Sequence, residues 1–230
     1  MTLCYVLAGI CALLTVLFLI IRTTIGGAYA IITKALASFA FIGLGVVGMA
    51  TTGMSVFALC VIMGLVCGLI GDILLDNKII YPEHSNIYLN AGMASFGIGH
   101  VFYFIALSSI AISIGKSGII LLLSLAVSLV ATFGIMLLSK PLKLDFGKFF
   151  YQSLAYTLIL TFMTTYSITL ACYVSNLWVL AIGLTLFFLS DLVLSTQYFG
   201  GKQDNKMLIW INHILYYAAQ IMIACTLFLV

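Results

Sequence analysis

Charge is what this sequence has least of. Nine basic and six acidic residues stand among 230, and charged residues make up 7% of the chain against 64% hydrophobic. Soluble domains run near 25% charged. A surface wetted on all sides cannot be built from so few charges, so most of this surface faces lipid. The net charge of +3 is small and scattered, which argues against nucleic-acid binding. Proline is nearly absent: Pro82 and Pro141 are the two, and both fall between apolar runs, so no run loses a helical hydrogen bond to proline. Cysteine pairing motifs are missing as well. Cys4, Cys11, Cys60, Cys67, Cys172 and Cys225 lie in apolar runs without a CxxC or a Cys/His cluster, and buried free thiols are expected. Low-complexity tracts and long linkers are lacking, so residues 1–230 are expected to form a single transmembrane helical domain. The first 21 residues have no basic segment before them, and Arg22 follows the apolar run. That is the pattern of a retained membrane helix rather than a cleaved signal peptide.

Long apolar runs are what the chain does have. A spanning helix needs about 20 mostly apolar residues. Eight runs qualify: 3–21, 28–49, 54–75, 87–111, 118–138, 149–172, 177–196 and 209–229. The expected fold class is all-α, a polytopic membrane bundle of about eight transmembrane helices. The connections are too short to hold a catalytic domain. Those after helices 1, 3, 5 and 7 carry Arg22, Lys78, Lys140, Lys143, Lys148, Lys202 and Lys206, whereas the opposite side carries Lys116 alone. This asymmetry puts the lysine-rich connections in the cytoplasm and both termini outside it. Short loops and an Ile/Leu/Phe-rich composition suit a bacterial cytoplasmic membrane.

Ionisable groups inside lipid are costly and mark function. Five lie within the runs: Lys34, Asp72, His100, Asp191 and His213. Counted from the expected ends, Lys34, Asp72, Asp191 and His213 fall in one layer, roughly 6–9 Å beneath the lysine-rich interface at 1.5 Å per residue. His100 is deeper. The layer implies a polar cavity open to the cytoplasm. Gly64, Gly68 and Gly71 recur at i, i+4, i+7, making a smooth face on which another helix can pack closely, so Asp72 is expected to face protein. His100 and Tyr103 are one turn apart. His213, Tyr216, Tyr217 and Gln220 form a polar stripe of two turns, with Asn212 at its edge. Each has a plainer reading. Lys34 can snorkel to headgroups, the aspartates can be structural partners, and the histidines can bond within the bundle. Asp76 and Glu83 are expected in a loop as solvated charges. Thr157, Thr161, Thr164 and Thr165 on helix 6 are expected as ordinary packing, with hydroxyls bonded back to their own helix.

Four short motifs run in order along these helices: Gly71-Asp72-Ile73-Leu74-Leu75, Gly99-His100-Val101-Phe102-Tyr103, Ser190-Asp191-Leu192-Val193-Leu194 and Tyr216-Tyr217-Ala218-Ala219-Gln220. Together they resemble the YhhN/TMEM86 family of lysoplasmalogenase-like integral membrane proteins. The resemblance spans nearly the whole chain. It departs at Lys34-Ala35, where the family often has Lys-Pro, and at Ser195, where the last aspartate motif usually ends in Ala. It implies hydrolysis of the vinyl ether bond of a lysoplasmalogen, giving a fatty aldehyde and a glycerophospho-ethanolamine or -choline.

That chemistry needs a proton delivered to carbon, then stabilisation of an oxocarbenium ion, then water. Glycoside hydrolysis makes the same demands and meets them with one carboxylic acid and one carboxylate. Asp72 and Asp191 are the expected catalytic pair, with the acid unassigned between them. Lys34, His100, Tyr103, Ser190, His213, Tyr216, Tyr217 and Gln220 are expected to support them or bind substrate. No cofactor and no metal are required. The expected partners are a lysophospholipid substrate and membrane lipid, and not nucleic acid; the oligomeric state is open. Three other classes use similar residues. An intramembrane aspartyl protease needs Gly-x-Gly-Asp, and here Gly68-Leu69-Ile70-Gly71-Asp72 lacks the first glycine. A metal hydrolase has only scattered histidines to draw on. A proton-coupled transporter uses similar buried carboxylates but commonly shows repeats and broken helices.

Overall fold

The computed structural model describes residues 2–230, except for the side chain of Ile79. Among the described residues eight α-helices follow one another: α1 (Thr2–Thr24), α2 (Gly27–Thr52), α3 (Val56–Ile80), α4 (Ser85–Ser113), α5 (Ser117–Ser139), α6 (Phe150–Ala171), α7 (Trp178–Phe199) and α8 (Lys206–Cys225). Each is part of a stretch long and apolar enough to cross a membrane, and among the described residues there is no strand. The protein is a multi-pass, all-helical membrane protein.

Local sequence explains where the helices stop. Gly26 and Gly27 take φ of +70° and +58°, a left-handed turn that reverses the chain between α1 and α2. Ser55 caps α3, its hydroxyl accepting from the Ala58 amide at 3.1 Å. The expected end of α3 near residue 75 is corrected: the helix runs on to Ile80. Asp76, Asn77 and Lys78 end the apolar run but do not break a helix. Pro82 does, because it bars α geometry at the preceding Tyr81, which sits at φ −123°, ψ 71°.

The chain falls into two compact units, Met1–Ser109 with Gln220–Val230, and Ile110–Ala219. In the first, α2 packs between α1 and α3. The C-terminal turn Thr226–Phe228 closes on α2, where Thr52 Oγ1 donates to the Leu227 carbonyl at 2.9 Å. The glycine face of α3 meets α4. A methyl on Gly64 would collide with the Tyr103 ring, and one on Gly71 would lie 2.7 Å from Phe96. Asp72 does face protein, as expected, but not across the glycines: it turns to α2.

In the second unit α6 packs against both α5 and α7. A polar seam joins α5 to α6: Thr132 and Thr161 hydroxyls are 2.8 Å apart, and Thr165 donates to the Ser124 carbonyl at 3.1 Å. The same threonines also bond back to their own helix, Thr161 to Thr157 and Thr165 to Thr161, both at 2.9 Å. Helix α5 leaves Leu122, Val130 and Phe133 exposed, side chains suited to lipid.

Candidate functional sites

The first unit holds a buried ion cluster on α2 and α3. Lys34 lies seven residues past Gly27, the start of α2, and Ser38 follows one turn later. Asp72 and Asp76 are likewise one turn apart on α3. The two i, i+4 pairs face each other. Lys34 Nζ is 3.4 Å from Asp72 Oδ1 and 3.4 Å from Asp76 Oδ1. Ser38 Oγ donates to Asp72 Oδ2 at 2.7 Å. The Lys34, Asp72 and Asp76 side chains are 6%, 3% and 6% exposed.

This geometry corrects one expectation and settles another. Asp76 is not a solvated loop charge; it is a buried residue of α3 sharing the Lys34 ammonium with Asp72. Lys34 does not snorkel, since its ammonium is held between two carboxylates. Desolvating charges costs several kcal/mol per ion, and only close opposite charges with hydrogen bonds offset it. Here each charge has an opposite charge 3.4 Å away, and Asp72 has the Ser38 hydrogen bond besides. Lys78, two residues beyond Asp76, lies within electrostatic reach of Asp76, Arg22 and Lys34, extending the charged network along α1, α2 and α3. Glu83, by contrast, is 60% exposed, as a solvated charge should be.

Deeper in the same unit, His100 Nδ1 donates to the carbonyl of Phe96 at 2.8 Å, one turn back on its own helix. This bond lies within α4. His100 meets the edge of Tyr103, centroids 5.8 Å apart at 79°. Tyr103 covers Gly64 and points its hydroxyl at Gln220 Oε1, 3.5 Å away. Lys34 and Asp72 are thus brought together, and so are His100, Tyr103 and Gln220.

The second unit holds Asp191, half-buried on α7. Its Oδ2 accepts from the Tyr156 hydroxyl of α6 at 2.6 Å, a short hydrogen bond. Ser190 spends its hydroxyl on the Phe187 carbonyl at 2.7 Å. The Ser190 carbonyl accepts from Asn212 Nδ2 at 2.7 Å, and Gln197 reaches the Leu208 carbonyl at 3.0 Å, so two amide side chains tie α7 to α8. His213 repeats the His100 arrangement, with Nδ1 on the Ile209 carbonyl at 2.8 Å. Tyr216 meets Phe187 edge-on at 5.5 Å and Tyr217 at 5.1 Å. The stripe Asn212, His213, Tyr216, Tyr217 and Gln220 is buried throughout, as a polar stripe on an apolar helix should be.

The four residues sit at similar distances from their helix ends. Lys34 and His213 lie seven residues past the starts of α2 and α8, and Asp72 and Asp191 eight residues before the ends of α3 and α7. At about 1.5 Å per residue each is ~10–12 Å from its own helix end.

Asp76, Ser38 and Tyr156 were missed by the sequence reading. Spacing carried a signal for the first two, since Lys34/Ser38 and Asp72/Asp76 both repeat at i, i+4. Tyr156 gave none, being one aromatic among many on an apolar helix.

The model of the YhhN family matches residues 29–227 of the chain. No curated protein and no solved structure matches it.

Proposed function

We propose, from the premise that this chain belongs to the YhhN family, that it is a membrane hydrolase cleaving the vinyl ether bond of a lysoplasmalogen. The products are a fatty aldehyde and a glycerophospho-ethanolamine or -choline. The observation that carries the reading is that both aspartates expected to act have defined proton-bearing or cationic partners. Asp72 is held by Lys34 and Ser38, and Asp191 by Tyr156.

The reaction runs in three steps. A carboxylic acid protonates the β-carbon of the vinyl ether, and the C=C electron pair forms the new C–H bond. The α-carbon becomes an oxocarbenium ion, which a carboxylate stabilises. Water adds there and loses a proton, and the hemiacetal collapses to aldehyde and free glycerol hydroxyl. Asp72 and Asp191 are assigned these acid and carboxylate roles. The donors around each aspartate fix its orientation before the proton moves, which is how preorganised polar groups lower a barrier. A lysolipid offers one chain to the apolar interior and a vinyl ether just beneath its headgroup. Polar groups ~10–12 Å from the helix ends suit that bond better than a group at the bilayer midplane.

The test is aldehyde release by purified, detergent-solubilised protein from a vinyl ether lysolipid and from its acyl counterpart. Aldehyde from the vinyl ether alone, lost in Asp72→Asn and in Asp191→Asn, is the expected result. No aldehyde from well-folded protein refutes the proposal and makes proton-coupled transport the reading to test. Full turnover in either variant removes that aspartate from the mechanism.

A further inference from the structure

One carboxylate suffices to neutralise a buried ammonium. The first unit places two on Lys34, at equal distances of 3.4 Å. A second buried carboxylate at a satisfied ammonium adds a charge that costs free energy to desolvate, so its presence calls for a reason. The electrostatics of the proposed reaction supply one. Its transition state develops positive charge on the substrate, and a neutral Lys34–Asp72 pair would exert little attraction on it. With Asp76 included, Lys34, Asp72 and Asp76 carry one net negative charge among themselves, set against the nearby charges of Lys78 and Arg22. Asp76 then balances the ammonium and leaves the Asp72 carboxylate to act on the cation.

The atoms support this division. Asp72 has Oδ1 on the ammonium and Oδ2 accepting from Ser38 at 2.7 Å, so both of its oxygens face donors, as a carboxylate requires. Asp76 approaches the same ammonium from one turn further along α3. A lysine side chain has four flexible carbons, and gripping it between two carboxylates fixes the ammonium. Lys78 lies in the same electrostatic network, within reach of Asp76, Lys34 and Arg22.

We propose that Asp76 is a positioning residue of the reaction: it offsets and holds Lys34, so that Asp72 serves as the cation-stabilising carboxylate. This rests on the vinyl ether reading above. It also divides the roles, leaving proton donation to a group other than Asp72.

The test compares wild-type protein with Asp76→Asn and Asp76→Glu, each full length and purified in detergent. Initial rates of aldehyde release are fitted for kcat and KM, and unfolding midpoints are measured alongside. Asp76→Asn keeps the shape and removes the charge. Its kcat is expected to fall about tenfold or more, as when one preorganised charge-stabilising group is lost, with KM within about twofold, the pattern of an interaction made only in the transition state. Asp76→Glu is expected to recover part of the lost kcat. A purely structural Asp76 would lower the unfolding midpoint without this split. Unchanged kcat in Asp76→Asn, or a loss explained wholly by unfolding and not recovered by Asp76→Glu, overturns the role of Asp76 and leaves the vinyl ether reading standing. A wild-type protein that releases no aldehyde overturns both.

Discussion

Replacing Lys34 with methionine tests the ion cluster directly. The substitution keeps the volume and removes the ammonium, leaving the Asp72 and Asp76 carboxylates facing each other's field in a place 3% and 6% exposed. At the observed separation of 3.4 Å, each ion contact is worth about 5 kcal/mol in isolation at an effective dielectric constant of ~20. The cost of having desolvated the charges offsets much of this. Removing one partner from a buried pair therefore destabilises by about 3–5 kcal/mol, because the remaining charge has nothing to offset it. Lys34→Met is expected to lose that much, read from SDS titration of the protein in mixed micelles followed by far-ultraviolet circular dichroism. Adding Asp72→Asn and Asp76→Asn removes the orphaned charges, and the triple variant is expected to regain more than half of the loss. The cycle separates the ionic coupling from the packing of the lysine stem. A loss below ~1 kcal/mol in Lys34→Met, or no recovery in the triple variant, would refute the reasoning, since such a small effect belongs to a solvated surface pair.

Two further outcomes follow from single contacts. Tyr156→Phe removes the donor to Asp191 and should destabilise by about 1 kcal/mol, the usual net worth of one intramolecular hydrogen bond; an unfolding midpoint equal to wild type would show that the 2.6 Å contact contributes nothing. Cys4 and Cys225 have their sulfurs 3.3 Å apart. Mild oxidation with copper–phenanthroline should join them, seen by intact mass as loss of two hydrogens and by peptide mapping as a Cys4–Cys225 link, and Cys4→Ser should abolish it.

The helices were legible because a run of apolar residues long enough to span lipid has few alternatives: an unsatisfied backbone in hydrocarbon is too costly for anything else. Hydropathy, however, reports where apolar side chains end, not where the helix ends. At α3 the two differ by more than a turn, and the difference hid Asp76. Once the helix is known to reach Ile80, Asp76 falls on the same face as Asp72, and its burial follows. The pairing of Lys34 with Asp72 was within reach of the sequence as an alternative. The choice of α2 over α4 as the partner of Asp72 was not, because glycine spacing marks a close approach without saying which residues lie beside it. Tyr156 shows a different limit. A tyrosine on an apolar helix carries the same sequence signal whether its hydroxyl meets a carboxylate or a backbone carbonyl.

The two facing rungs of α2 and α3 have a consequence for assembly. In water, a helix that slides along its neighbour exposes apolar surface and is pulled back. In a bilayer, lipid tails are as good a partner as leucine, so apolar contact says little about which turn should meet which. The Lys34–Ser38 and Asp72–Asp76 rungs restore that information. Shifting α2 against α3 by one turn would leave an end of one rung without its counterpart, an acid or a lysine stranded in hydrocarbon. The charges thus act as an address written in the sequence, read once when two otherwise slippery helices find their register.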